Sequence, residues 1–155
     1  MIRIYTDGAA QGNPGPGGYG VVMKFNHHVK ELSEGFRLTT NNRMELLAVI
    51  VALETIKKNG YPVTVFSDSK YVVEAVEQGW IWNWEKKNFA KKANPDLWRR
   101  FIPLYHTYKP KFKWVKGHAG HPENERCDQL AVQAANRPGL QIDTWYENHR
   151  DQEES

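Results

Sequence analysis

Asn42-Arg43-Met44-Glu45-Leu46-Leu47-Ala48-Val49-Ile50-Val51-Ala52-Leu53-Glu54-Thr55-Ile56-Lys57-Lys58-Asn59-Gly60, followed at once by Tyr61-Pro62-Val63-Thr64-Val65-Phe66-Ser67-Asp68, is the stretch that decides the fold. Met44, Leu46, Leu47, Val49, Ile50, Leu53 and Ile56 cover a wide face, so Asn42–Asn59 reads as a largely buried helix. Gly60 ends it as a left-handed residue would. Pro62–Ser67 then reads as a short apolar strand. Upstream, Ile2 and Ile4 alternate with Arg3 and Tyr5 as in a strand, which Thr6-Asp7-Gly8 is expected to end. Gly12 to Gly18 is a turn cluster. Tyr19–Phe25 and Val29–Thr39, separated by Asn26-His27-His28, complete an antiparallel meander. Downstream, helices are expected over Ser69–Glu77, Asp96–Tyr108 and Pro122–Asn136, with a strand over Lys111–Val115. This order implies the α/β class: a five-stranded mixed sheet with helices on both faces.

The chain has 155 residues, 40% hydrophobic and 25% charged, which suits one domain with a real core. The expected division is a single domain over residues 1–142 and an acidic, flexible tail over 143–155, where five acids face one arginine. The longest apolar run, Leu46–Leu53, is far too short to span a bilayer, so no membrane association is expected. Met1-Ile2-Arg3-Ile4-Tyr5 enters a strand pattern directly, without the basic and apolar regions of a secretory signal. Cys127 is the only cysteine, which excludes an internal disulfide. A cytoplasmic protein is expected, and a monomer, since no long apolar seam is evident. The net charge of +3 is concentrated: the four lysines of residues 86–92 more than account for it. Such a cluster suits an anionic partner, or is simply a solvated helix face.

Four acids stand out by position. Asp7 ends the first strand, Glu45 lies in the first turn of the buried helix, Asp68 follows the fourth strand, and Asp128 sits beside Cys127 in the last helix. A carboxylate among core residues is costly unless it is paired or bound to a cation. If the strands carrying Asp7 and Asp68 are neighbours, both acids leave one rim of the sheet, within reach of Glu45 and Asp128. Clustered carboxylates suit Mg²⁺, which takes oxygen ligands, and in pairs about 4 Å apart such ions catalyse in-line phosphodiester displacement. Each acid also has a plainer structural role open to it. Asn42 and Glu45 fit a capping box, Asp68 a helix N-cap, Asp7 a turn, and Asp128 an ion pair with Arg126 or Lys116.

Lys116-Gly117-His118-Ala119-Gly120-His121-Pro122 is a glycine-flanked loop with two histidines. A histidine there suits proton transfer near neutral pH, or is an ordinary hydrogen-bonded loop residue. A structural zinc site is not expected, because no further compact ligand set accompanies the pair. Trp80-Ile81-Trp82-Asn83-Trp84, followed by Lys86 and Lys87, interleaves aromatic and basic groups as nucleic-acid sites do, although at least one of Trp80 and Trp84 is expected in the core.

Tyr5-Thr6-Asp7-Gly8, Thr40-Asn41-Asn42-Arg43-Met44-Glu45-Leu46, Ser67-Asp68-Ser69 and the run Trp114 to Asp128 occur in that order. Over residues 1–137 the chain closely resembles bacterial type 1 ribonuclease H. The resemblance implies the ribonuclease H fold and an endonuclease that hydrolyses the RNA strand of RNA–DNA hybrids, giving 5′-phosphate and 3′-hydroxyl ends. It implies Asp7, Glu45, Asp68 and Asp128 as ligands of Mg²⁺, with Mn²⁺ as a substitute, and His118 as a mobile catalytic histidine. It also implies Glu125 as an auxiliary metal contact, Gly8, Asn13, Thr40, Asn41 and Asn42 beside the two strands of the hybrid, and a basic protrusion carrying Trp80, Trp84, Lys86 and Lys87. The chain departs from the pattern in a shorter stretch between Trp84 and Asp96, in Ala10, and in Lys70. A hybrid-binding module without activity, or a DNA nuclease on the same fold, are the rivals.

Overall fold

Strand pairing sets where every functional side chain emerges. The structure is a computed structural model that describes residues 1–57, 60–117 and 120–153. Its elements are β1 (Ile2–Ala10), β2 (Gly15–Phe25), β3 (His28–Thr39), α1 (Asn41–Thr55), β4 (Val63–Ser67), α2 (Lys70–Glu77), α3 (Trp80–Lys86), α4 (Pro95–Tyr108), β5 (Lys111–Trp114), α5 (Pro122–Ala135) and α6 (Thr144–Glu153). The five strands form one sheet in the order β3-β2-β1-β4-β5. β1, β2 and β3 are antiparallel neighbours, whereas β4 runs parallel to β1 and β5 parallel to β4. Thr6 pairs with Ser67, so the next residues, Asp7 and Asp68, lie side by side where the two strands diverge.

The period-2 alternation of β1 divides the interior. Ile2 and Ile4 enter the main core with Val21, Met44, Ile50, Leu53, Trp98 and Phe101. Tyr5 faces the other way, against Val22, Cys127 and Leu130. α1 and α5 therefore cover opposite faces, as expected. The meander is glycine-rich because α5 lies almost on its backbone: a Cβ on Gly20 would land on the Cys127 carbonyl and 2.7 Å from Leu130 Cβ.

Several boundaries differ from the sequence reading. β1 does not stop at Asp7 but continues to Ala10, because Gly17 and Gly18 of the supposed turn cluster pair with Ala10 and Ala9. α1 begins at Asn41, capped by Thr40, whose hydroxyl accepts a hydrogen bond from Arg43 N at 3.2 Å. Trp80–Lys86 is a short helix. The segment expected as a flexible acidic tail instead carries α6, and its first residues are tied down. Asp143 and Tyr146 are buried, and Asp143 forms an ion pair of 2.8 Å with Arg43, itself only 2% exposed. A buried guanidinium needs carboxylates, and a local reading of an acid-rich C-terminus does not reveal that partner. Among the described residues no helix is long and apolar enough to cross a membrane.

The contact between Gly20 and α5 leaves no room for a methyl group. Gly20→Ala should lower stability by about 1–3 kcal/mol, read as a lower midpoint in urea denaturation at unchanged slope. An unchanged midpoint would contradict this packing.

Candidate active site

Three acids converge at the end of the β1–β4 pair. One carboxylate oxygen from each of Asp7, Glu45 and Asp68 lies within 4.8 Å of the others. Asp7 arrives on β1, Asp68 directly after β4, and Glu45 on the first turns of α1. The approach of α1 depends on Gly8, where a Cβ would strike the backbone of Met44 and Glu45. Gly8 also donates its N–H to Asp7 Oδ1 at 2.8 Å.

Most of the plainer roles open to these acids are taken by other residues. Thr40 caps α1, so Glu45 lies two residues beyond the third helical position that a capping box requires. Ser69, not Asp68, caps α2 through Val72 N at 3.2 Å. Asp7 lies inside a strand. Arg126 pairs with Glu31 at 2.8 Å, not with Asp128.

The cluster lacks internal compensation. Glu45 Oε1 and Asp68 Oδ1 are buried without a hydrogen-bond partner. Burial first, then the charges of Asp68 and Asp128, raise Asp7 from 3.8 to about 8. Burial, followed by Asp7 and Asp68, pushes Glu45 well above the carboxylate range. Desolvated, mutually repelling carboxylates, two of them with an unpartnered oxygen, fit a hard divalent cation.

Asp128 lies beside the three-acid group, close enough for its charge and a hydrogen bond to act on Asp7. It lines a cleft of about 300 Å³ with Asp7, Asp68, Lys116, Asn124 and Glu125. His121 and Gln129 also line it. Asn124, Glu125, Asp128 and Gln129 share one face of α5, continued by His121 at its N-cap, and this three- and four-residue spacing would have identified Asn124 and Gln129 as site residues. Trp114 is a further omission: its Nε1 donates to the Asp68 carbonyl at 3.1 Å, and no sequence pattern signals that contact. His118 lies outside the described residues, although Gly117 before it lines the cleft. A larger apolar hollow of about 460 Å³, near Ile2, Phe25 and Tyr61, contains no carboxylate and lies away from this chemistry.

Residues expected to contact substrate fall into two groups. Asn13 Oδ1 accepts from Asn41 N at 3.0 Å, and Asn41 Oδ1 accepts from Ala10 N at 2.6 Å. These bonds join the β1–β2 loop to the start of α1, where Asn42 is exposed and Thr40 is the cap. In the second group, Trp80 is 45% exposed, whereas Trp84 packs edge-to-face on Trp98 with centroids 5.8 Å apart. Lys86 and Lys87 end α3 on the surface, and Lys92 Nζ sits 5.2 Å from the Trp84 ring centroid.

Residues 1–136 match the RNase H family. Among curated relatives, ribonuclease H of Desulforamulus reducens is 58% identical over 147 residues, covering 92% of each chain. Ribonuclease H of Rippkaea orientalis is 51% identical, covering 95% of this chain and 93% of its own. The crystal structure of LC9-RNase H1, a type 1 RNase H with the type 2 active-site motif, superposes with a TM-score of 0.78 at 30% identity, over 95% of this chain and 79% of that one. LC11-RNase H1, solved in complex with an RNA/DNA hybrid, gives 0.66 at 30% identity, over 88% and 97%. The chain belongs to the ribonuclease H family.

Without divalent ions, the buried acids should weaken the fold at neutral pH. The stability associated with protonated Asp7 is fully present below its unfolded value of about 4 and is lost as pH rises through about 8. In EDTA, the wild-type melting temperature should therefore fall from pH 4 to pH 8 more steeply than that of Asp7→Asn. At pH 8 the variant should be more stable by on the order of 1 kcal/mol or more. A wild-type chain at least as stable as the variant at pH 8 would contradict the electrostatics.

Proposed function

We propose that this chain is an endonuclease that hydrolyses the RNA strand of RNA–DNA hybrids, assisted by two divalent ions, Mg²⁺ with Mn²⁺ as a substitute. The observation that carries this is the convergence of Asp7, Glu45 and Asp68, two of them with buried partnerless oxygens, in a ribonuclease H chain. Asp7, Glu45, Asp68 and Asp128 would hold the ions, with Glu125 at the edge of the site. Such ions, when bound, lower the pKa of a water and neutralise the charge that develops on a transferring phosphate. The products would carry 5′-phosphate and 3′-hydroxyl ends.

The remaining chemistry belongs to the protein. Ionised Asp7 and Glu45 bring negative charge to a desolvated site, and rigid β1, β4 and α1 hold it there without reorganisation. Lys116 adds one positive charge to the cleft lining, suited to a phosphate. His118 takes or gives a proton near the attacked phosphate and assists departure of product. At the substrate surface, the bonds accepted by Asn13 and Asn41 fix each amide oxygen and leave its NH₂ to donate to the hybrid. With Gly8, Thr40 and Asn42 they lie where a 2′-hydroxyl is sensed, the group that separates RNA from DNA. Trp80, Trp84, Lys86 and Lys87 receive the far side of the duplex through sugar and phosphate contacts. One domain carries the whole reaction. The bacterial relatives and the lone cysteine, buried as a thiol, support action in the cytoplasm.

An end-labelled RNA–DNA hybrid tests this directly beside matched RNA and DNA duplexes. Purified protein with Mg²⁺ should cut only the RNA of the hybrid, and EDTA should abolish cutting. Asp7→Asn should fold and bind hybrid but lose activity by at least about a thousandfold. Hybrid binding without cleavage in Mg²⁺ or Mn²⁺ would indicate a binding module, and cutting of the DNA duplex would indicate a different nuclease.

A further inference from the structure

A fully hydrogen-bonded buried guanidinium lies beside the proposed substrate surface and uses a residue beyond the family-matched segment. Arg43 is two residues before Glu45, on the same first turns of α1. Its Nε and Nη2 donate to Asp143 Oδ2 and Oδ1 at 2.8 and 3.0 Å. Its Nη1 and Nη2 donate to Asp96 Oδ1 and Oδ2 at 2.9 and 2.8 Å, and Nη1 also reaches Asn94 Oδ1 at 3.2 Å. All five N–H donors of the guanidinium are therefore engaged. The Trp145 ring covers it, with its centroid 5.1 Å from Cζ.

Asp143 is equally occupied. Besides Arg43, its Oδ2 accepts from Thr39 Oγ1 at 2.9 Å and its Oδ1 accepts from Tyr146 N at 3.3 Å. One carboxylate thus caps α6 and grips both Thr39, the last residue of β3, and Arg43, in the first turn of α1. Between those two points lie only Thr40, Asn41 and Asn42, the residues assigned above to hybrid contact.

We infer that Asp143 is a positioning residue for hybrid binding, which through Thr39 and Arg43 holds the Thr40–Asn42 turn in its binding geometry. This rests on the proposed function. The ends of the turn are clamped from α6, while Asn13 and Ala10 hold its middle through Asn41. Loss of the clamp leaves the acids of β1 and β4 in place, so the effect falls on substrate binding more than on the chemical step. A carboxylate at 143 and a forked cation at 43 are both required, because lysine cannot bridge two carboxylates in a fixed plane.

The test is steady-state hydrolysis of an RNA–DNA hybrid by wild type, Asp143→Asn, Arg43→Lys and Glu147→Gln, at a temperature where circular dichroism shows each to be folded. Glu147 ties α6 to β3 through Arg37 at 2.8 and 2.9 Å on the surface and touches nothing in the turn, so it controls for general loosening of α6. Asp143→Asn and Arg43→Lys should raise KM on the order of tenfold while kcat changes less than about threefold, and Glu147→Gln should leave both unchanged. Two variants keep the test open if one fails to fold. Lower melting temperatures with an unchanged KM would overturn the inference and leave Asp143 a purely structural residue. Wild type that fails to cut the hybrid would refute the proposed function itself.

Discussion

Charge repulsion that the fold creates and does not relieve is the constraint on which this structure depends. Asp7 and Asp68 are adjacent because β1 and β4 pair in parallel with Thr6 opposite Ser67. Glu45 joins them because Gly8 lets α1 settle against the strand. Burial then removes the water that would screen the three charges. Among the described residues no arginine or lysine forms an ion pair with them, although such pairing is used freely elsewhere. A site that maintains this imbalance gives up stability in exchange for affinity toward a cation, the usual relation between an active site and its scaffold.

Arg43 supplies the contrast. It is as buried as Glu45 and lies on the same helical turns, yet each of its donors meets an acceptor, and the acceptors come from α4 and from the start of α6. One side of the N-terminal part of α1 is therefore anchored and the other is left open to a ligand. The anchored side holds the Asn41–Asn42 surface, while the close seat of α1 on Gly8 places Glu45. The residue that opens the C-terminal helix thus bonds to the start of α1, even though it stands about a hundred residues away in sequence.

Much of this was legible in the sequence. The alternation of Ile2 and Ile4, the broad apolar face from Met44 to Ile56 and the short run Val63–Ser67 define the mixed sheet and its buried helix. The acids at strand ends and the histidine loop carried the resemblance to ribonuclease H. Other features depend on long-range partners that no local pattern contains. Glycines at 17 and 18 read as turn residues because glycine favours turns, but here both extend the β1–β2 ladder, and Gly18 lets α5 lie against it. Asn42 looked like a helix cap, while Thr40, two residues earlier, holds that position. The tail looked loose because its acids appeared unpaired, and their partners, Arg37 and Arg43, lie about a hundred residues upstream.

The central claim is that the crowded carboxylates are a divalent-cation site, and calorimetric titration of the metal-free protein with Mn²⁺ tests it most directly. Run at pH 7 in two buffers of different ionisation enthalpy, the titration reports both binding and the protons released by it. Saturable binding that releases protons is expected, because Asp7 and Glu45 must ionise to act as ligands, and Asp68→Asn should weaken that binding strongly. Absence of saturable binding, or binding without proton release that Asp68→Asn leaves intact, would contradict the claim.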